Sequence, residues 1–451
     1  MTNKSAGKTI VIGLGQTGKS CVRFLVSKGI PVVAMDTRAE PPGIEQLRTE
    51  FPELEFVLGN LDSELLSAAS EIVISPGLSL QHPALQTVRK QGVPIIGDIS
   101  LFRRYVDQPI VAITGSNAKS TVTTLVGKLL RDAGVSAMVA GNIGIPVMEL
   151  LNQGITADVY VLELSSFQLE TTDNLNAKVA TILNVSEDHM DRYKDIEEYA
   201  SAKQRIYEGC ETAVVNADDR YSMPMPDVKN ILYFNGSEPK ADEFGLIKKA
   251  DDTWLAMDSS PIIKASELKI KGRHNQVNAL AAVAIGKAIG IPMESMVLTL
   301  SEFAGLTHRC QFVANINGVD WFNDSKGTNV GATEAAIDGI GNDIKGKIVL
   351  IAGGEGKGAD FSVLKSPAKS FVKKIVLIGR DADIIATALE QAVPLVKAKD
   401  LEEAVNLAGH DAERGDAVVL SPACASFDMF QSFEDRGNQF MQLVHAMENQ
   451  P

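Results

Sequence analysis

The residues most suited by type and spacing to do chemistry are Gly115-Ser116-Asn117-Ala118-Lys119-Ser120-Thr121. Small residues leave backbone N–H groups open to an anion, a lysine can reach terminal phosphates, and a hydroxyl opening a helix can hold a divalent cation. The stretch departs from the general G-x-x-x-x-G-K-[ST] phosphate loop at two places. Ala118 stands where the second glycine belongs, and Ile113 stands five positions before it. Alanine serves there if its φ is negative, whereas a left-handed φ costs about 1–2 kcal/mol.

Three further side chains could join this loop. Glu163 lies near the end of the apolar run Asp158 to Leu164, where a carboxylate needs a cation or metal partner. His189 follows the run Lys178 to Val185. If the two runs are adjacent strands, both side chains reach the edge where the loop sits, and oxygen ligands with one imidazole suit Mg²⁺. Taken alone, His189 is a structural histidine. Lys203 occupies a core-facing slot on the helical stripe Ile196, Tyr199, Ala200, Ile206, Tyr207. Either its stem packs while the ammonium escapes to water, or a depressed pKa leaves the amine free to react. Spacing leaves both open.

These residues need a scaffold, and the hydrophobic pattern supplies one. Ile110 to Ile113 forms a buried strand, and Val122, Leu125, Val126, Leu129 and Leu130 mark the helix after the loop. Upstream, the strand Lys8 to Ile12 runs into Gly13-Leu14-Gly15-Gln16-Thr17-Gly18 and a helix, and the strand Pro31 to Met35 ends in Asp36-Thr37-Arg38. That is a G-x-G-x-x-G turn with an acid about twenty residues on, which accepts a nucleotide diphosphate. The strand Glu71 to Ser75 ends in Ser75-Pro76-Gly77. Downstream, Asn275 and Asn278 open a helix as caps or as readers of an adenine edge. A less regular, polar stretch covers Ser222 to Ser260. From Gly305 the β-α alternation resumes, with strands ending in Asp324-Ser325-Lys326, in Gly353 to Gly358 around Lys357, and in Ser421 to Ser426. The expected domains are 1–99, 100–305 and 306–451.

The chain of 451 residues is 45% hydrophobic and 22% charged, as in an ordinary globular protein. A net charge of −14 argues against general binding to nucleic acid or an anionic membrane. Cys21, Cys210, Cys310 and Cys424 form no C-x-x-C pair, which fits a reducing compartment without disulfides or zinc. No leader-like segment and no bilayer-length apolar run is evident. The expectation is a cytoplasmic monomer with no membrane insertion.

The stretches GLGQTG, SPGLSL, GSNAKST, LELSSFQLE, NVSEDHMDRY, AKQRIYE, GRHNQVNALAA, HRCQF, NDSKGTNVGAT, GGEGKGADF and SPACASFDMFQSFEDRG together resemble the Mur ligase family, over essentially the whole chain. The departure is Ala118, where the family usually has glycine. The resemblance implies an α/β fold of three Rossmann-like domains, the central one a P-loop-type ATP-binding parallel sheet with flanking helices. It implies ATP-dependent amide-bond formation with Mg²⁺ in peptidoglycan precursor synthesis. The substrates would be UDP-N-acetylmuramoyl-L-alanine and D-glutamate, joined through an acyl phosphate.

By matching motif, the resemblance assigns Gln16, Thr17, Asp36, Thr37 and Arg38 to the UDP part of the substrate, and Ser75, Gly77, Asn142 and Ser165 to substrate binding. Residues 115–121 would hold the ATP phosphates, with Lys119 stabilising the transferred phosphoryl. Glu163 and His189 would ligate Mg²⁺, with Ser120 or Thr121 helping, and Lys203 matches a carbamylated lysine at the metal site. Asn275, Asn278, Arg309, Asp324 and Lys326 would meet adenine, phosphate and ribose. Lys357, Thr328, Ser426 and Phe433 match the D-glutamate pocket. Another Mur-type amino-acid ligase is the near alternative. An NAD-dependent oxidoreductase would explain GLGQTG and Asp36 but not GSNAKST, and a non-catalytic P-loop regulator would have no use for Lys203 and Lys357.

Overall fold

The computed structural model describes residues 7–190, 192–224 and 228–448. Its contacts fall into two compact units, one from Met1–Val185, Arg192–Tyr233 and Ala281–Met296, the other from Ser186–Asp191, Phe234–Leu280 and Val297–Pro451.

The first unit holds two sheets. β1 (Thr9–Ile12), β2 (Val32–Asp36), β3 (Glu55–Leu58), β4 (Glu71–Ile74) and β5 (Ile95–Ile96) form a parallel sheet in the order β3-β2-β1-β4-β5. β6 (Ile110–Thr114), β7 (Ala137–Gly141), β8 (Val159–Glu163), β9 (Val179–Ile182), β10 (Thr212–Asn216) and β11 (Asn230–Phe234) run in the order β11-β10-β9-β6-β8-β7. β6, β8 and β9 are buried along their whole length, as parallel strands covered on both faces must be. In each sheet the chain reverses direction beside the strand that carries a glycine-rich turn, β1 in one and β6 in the other. A crevice opens at such switch points beyond the carboxyl ends of the strands.

In the second unit, β12 (Glu243–Lys249), β13 (Asp252–Met257) and β14 (Ser260–Lys264) make an antiparallel meander. The sequence there suggests an irregular polar stretch, and the structure corrects this. Phe244, Leu255, Ala256 and Ile263 are buried while Lys248 and Lys249 are exposed, so one wet face dilutes the apolar signal. β15 (Gln311–Ile316), β16 (Val319–Asn323), β17 (Ile348–Gly353), β18 (Val372–Ile378), β19 (Leu395–Lys397) and β20 (Ala417–Leu420) form a sheet in the order β15-β16-β20-β17-β18-β19. Only β15 is antiparallel to its neighbour. The fold is α/β, with three domains built on parallel-dominated sheets. No described helix is long and apolar enough to cross a membrane.

The turn after β1 works only with glycine at its end. A Cβ on Gly18 would lie 1.8 Å from the Gly13 carbonyl oxygen, because the helix Gln16–Ser27 starts directly over the turn. Gly18→Ala is therefore expected to destabilise the chain by about 1–3 kcal/mol, the usual cost of overpacking. Thermal unfolding checks this, and an unchanged melting temperature would show that the turn can yield.

Candidate functional site

The loop 115–118 leaves the buried strand β6 and is held from behind by one asparagine. The amide of Ser116 donates to the Asn184 carbonyl at 2.8 Å, and the amide of Asn117 donates to Asn184 Oδ1 at 2.8 Å. The side-chain amide of Asn184 donates back to the Asn117 carbonyl. Asn184 sits just past β9, on one side of β6. It opens the stretch NVSEDHMDRY, but its role as a brace is not legible there, since its partner Asn117 lies 67 positions away.

Ala118 has a φ of 65° and caps the helix Lys119–Asp132. The negative φ that alanine prefers is not adopted, so the loop keeps the backbone of a glycine and stores the strain of a Cβ.

Lys119 and Lys203 converge on this loop. Lys119 Nζ donates to the carbonyls of Gly115 at 2.8 Å and Ser116 at 3.0 Å. Lys203, 1% exposed, also donates to the Gly115 carbonyl at 3.0 Å, and its Nζ lies 4.3 Å from the centre of the Tyr199 ring. Lys203 thus does not snorkel: its side-chain nitrogen stays buried against the loop 115–118. Ser120 and Thr121 lie buried in the first helical turn.

Glu163, at the end of β8, is 2% exposed. Its Oε1 accepts from Asn142 Nδ2 at 2.8 Å, while its buried Oε2 accepts no hydrogen bond among the described residues. A Cβ on Gly141 would meet the Glu163 carbonyl at 2.3 Å, so the Gly141-Asn142 turn can approach only because glycine stands there. A buried carboxylate oxygen left open beside a phosphate loop suits a hard cation. Ser165 caps the helix Ser166–Leu169 in a capping box with Gln168.

The expectation that β8 and β9 are adjacent is corrected, since they flank β6 on opposite sides. Glu163 belongs to the first unit, and His189 lies on a loop of the second, 41% exposed and 3.7 Å from Asp188.

At the first sheet, Asp36 is 1% exposed. It accepts from the Leu14 amide at 2.6 Å, from the Arg38 amide, and from the Arg38 guanidinium at 2.9 and 2.8 Å. Burial pushes its pKa up, but those bonds and the Arg38 charge outweigh it and hold the carboxyl below its ordinary value. Asp36 therefore fixes the glycine turn and Arg38 rather than standing open to solvent. Gln16, Thr37, Arg38, Ser75 and Gly77 are exposed or half-buried around this turn, and Thr17 opens the helix beside Gln16.

In the second unit, Asn275 donates to the Lys271 carbonyl at 2.7 Å, and Asn278 donates to Asn275 Oδ1. Asp324, at the end of β16, accepts from Ser421 Oγ at 2.7 Å and from the Cys310 amide at 3.1 Å. Burial pushes its pKa up to about 6 against those bonds and the nearby Arg309 charge. Lys326 Nζ lies 5.0 Å from the centre of the Phe433 ring.

A cavity of about 310 Å³ is lined by Thr328, Lys357, His189, Asp188 and Glu334, among others. The structure brings Lys357 and Thr328 together there, but neither Ser426 nor Phe433 lines that cavity. Ser426 is 2% exposed beneath the turn it starts, and Phe433 packs edge-on against His308. Arg436, which lies in the stretch SPACASFDMFQSFEDRG but takes no assigned role there, is fully buried and donates to Ser325 Oγ, the Ser325 carbonyl and the Cys424 carbonyl. Burial pulls its pKa down to about 10. It joins the loops after β16 and β20.

Family profiles match this architecture sheet by sheet: Mur ligase MurD-like N-terminal domain over residues 7–97, Mur ligase middle domain over 113–286, and Mur ligase glutamate ligase domain over 308–424. The chain belongs to the Mur ligase family. Among its relatives, a UDP-N-acetylmuramoylalanine--D-glutamate ligase of Pseudomonas putida is 53% identical over 97% of each chain. The enzyme of that name from Pseudomonas aeruginosa is 52% identical over 97% of this chain and 98% of its own. Among solved structures, a pseudomurein peptide ligase type C from Methanothermus fervidus superposes with a TM-score of 0.61 at 19% identity, covering 98% of this chain and 100% of that one. The UDP-N-acetylmuramate-alanine ligase of Thermotoga maritima gives 0.59 at 17%, covering 98% and 99%. Those two likenesses concern the fold.

Two predictions follow from the strained and buried groups. Ala118→Gly should raise thermal stability, because the strain of about 1–2 kcal/mol exceeds the roughly 0.4–1 kcal/mol of added unfolded-state freedom. A lower melting temperature would contradict the strain. Asp324 favours its protonated form in the fold, so its contribution, present below the ordinary pKa of 3.8, is lost as pH rises through about 6. Measured against wild type, the melting temperature of Asp324→Asn should improve as pH goes from about 4 to 7. His274, whose pKa burial lowers to about 4, acts in the opposite sense and is common to both proteins. A difference that stayed flat with pH would remove the burial argument.

Proposed function

We propose that this chain is an ATP-dependent ligase that adds D-glutamate to UDP-N-acetylmuramoyl-L-alanine in peptidoglycan precursor synthesis. The observation that carries the chemistry is the convergence of Lys119 and the buried Lys203 on the Gly115 carbonyl of a phosphate loop, beside a carboxylate with an open oxygen. The choice of D-glutamate is supported by the names of relatives 50–53% identical over nearly the whole chain.

In this reading the substrate carboxylate attacks the γ-phosphorus of ATP, ADP leaves, and the D-glutamate amine displaces phosphate from the acyl phosphate through a tetrahedral intermediate. The loop amides and Lys119 hold the phosphates and balance the charge that spreads over the transferred group. The turns after β1, β2 and β4 hold the UDP part through Gln16, Thr17, Thr37, Arg38, Ser75 and Gly77, with Asn142 and Ser165 beyond them. Asn275, Asn278, Arg309, Asp324 and Lys326 serve the nucleotide. Lys357 and Thr328 line a cavity of about 310 Å³ in which the lysine would hold a carboxylate of D-glutamate, with Ser426 on the loop after β20 and Phe433 at the start of the following helix as further members of the pocket.

Glu163 would hold Mg²⁺, with Ser120 or Thr121 and His189 as further ligands, and the ion would neutralise phosphate charge. Lys203 is a candidate for carbamylation. Two lysine nitrogens meet at one carbonyl, which favours loss of the proton from one of them; the neutral Lys203 amine would then add CO2 and release a proton, and the resulting carbamate anion would be attracted to Lys119. We further propose a monomer in the cytoplasm that binds no nucleic acid, in keeping with the net charge of −14.

Phosphate release with ATP, Mg²⁺ and UDP-N-acetylmuramoyl-L-alanine is expected to depend on D-glutamate and not on L-glutamate, L-alanine or meso-diaminopimelate. Release with another amino acid would keep the family and change the acceptor. Lys203→Arg should lower kcat by about 10²–10³-fold, in the range for removing one transition-state group. A variant as active as wild type would rule the lysine out.

A further inference from the structure

We propose that Arg192 is the positioning residue that sets the turn Ser75–Leu78 against the end of β8. It thereby fixes where the UDP substrate's carboxylate meets the γ-phosphate, an inference that rests on the function proposed above. The turn itself is thin. Its one internal backbone bond is the Leu78 amide to the Ser75 carbonyl, 3.1 Å, and Gly77 has no neighbour within 4 Å of where a Cβ would be. Arg192 braces it from below. Nη1 donates to the Pro76 carbonyl at 3.0 Å and Nη2 to the Leu78 carbonyl at 3.2 Å, the two carbonyls on either side of Gly77.

The same guanidinium is anchored to the middle domain. Nη2 donates to Glu170 Oε2 at 2.8 Å, and the Arg192 Cζ lies 4.1 Å from the centre of the Phe167 ring. Glu170 is itself fixed at its other oxygen by Tyr193 Oη at 2.5 Å. Phe167 and Glu170 belong to the short helix Ser166–Leu169 and its C-cap, which begins three residues after Glu163. One rigid fork therefore spans from the turn that carries Ser75 and Gly77 to the segment that carries Glu163. The Arg192 side chain is only 13% exposed and Glu170 18%, so water does not compete freely for these bonds. A planar guanidinium fixes direction as well as charge. Lysine, a point charge on a flexible stem, cannot hold two carbonyls and a carboxylate in that geometry.

A brace of this kind affects one substrate more than the other. The phosphate loop is bonded directly by Asn184 and is reached from Arg192 only through the ring contacts of Phe167, Tyr193 and Tyr199, whereas the turn 75–78 loses two direct bonds. Displacement of a bound group by about 1 Å costs up to about 10²-fold in rate.

The test uses the full chain with Arg192→Lys, Arg192→Ala and Glu170→Gln. Kinetic constants come from phosphate release, and affinities for a non-hydrolysable ATP analogue and for UDP-N-acetylmuramoyl-L-alanine from calorimetry. Arg192→Lys is expected to lower kcat/KM for the UDP substrate by about 10–100-fold and to weaken its binding, with the ATP analogue bound as in wild type. Glu170→Gln should fall part of the way, since it keeps the two carbonyl bonds. If Arg192→Ala fails to fold, the other two variants decide. Parallel changes toward both substrates, or none toward either, would overturn the proposal and leave Arg192 a packing residue. Wild type inactive with D-glutamate would sink the function reading alone, because the two calorimetric affinities still judge the brace.

Discussion

One carbonyl oxygen, that of Gly115, is the point on which the loop at the centre of the first unit is organised. Two lysines from different elements donate to it, one from the helix that the loop itself opens and one from a helix 88 positions away. Neither contact would be possible if the loop could wander. It is pinned behind by Asn184 and below by β6, whose five residues are all buried between β8 and β9. Preorganisation of this kind matters because phosphoryl transfer asks a protein for placement and charge more than for covalent work.

The price of that placement is visible as buried polarity at the carboxyl ends of strands. Asp36 ends β2, Glu163 ends β8 and Asp324 follows β16, and all three are nearly inaccessible. Each is held by hydrogen bonds, yet their situations differ. Asp36 is saturated by Arg38 and two amides and stays ionised. Asp324 has neutral partners in Ser421 and the Cys310 amide, and burial dominates its pKa. Glu163 keeps one oxygen open. Local rules are broken here, and at Ala118, where a protein that only had to be stable would keep them.

Much of the architecture was legible because it is periodic. Apolar runs that end in glycine and small polar residues mark parallel strands, and they located β1, β2, β6, β8 and β16 with their turns. The meander β12–β14 was not legible, since one exposed face hides the apolar one. Lys203 was half legible: the helical stripe put it on the core face, but only packing could show that the side-chain nitrogen stays inside. Asn184, Arg192 and Arg436 lie inside stretches that carry the family resemblance, but their roles were not legible, because what each does is hold carbonyls and amides of distant segments. Ser426 and Phe433 share the motif-based expectation with Lys357 and Thr328, but burial and ring packing draw them away from the cavity that those two line.

By itself the sequence determined the class of fold, the glycine-rich turns after β1 and β6, and which acids stand at strand ends. These follow from short-range rules of period, turn chemistry and helix opening, which a string of residues carries in full. Only the tertiary structure decided that β8 and β9 lie on opposite sides of β6, that Ala118 adopts a left-handed φ, and that Lys203 shares a carbonyl with Lys119. Those depend on strand order and on hydrogen-bond partners many tens of residues apart. Such pairings are settled by the joint burial of the sheets, and no local pattern encodes them.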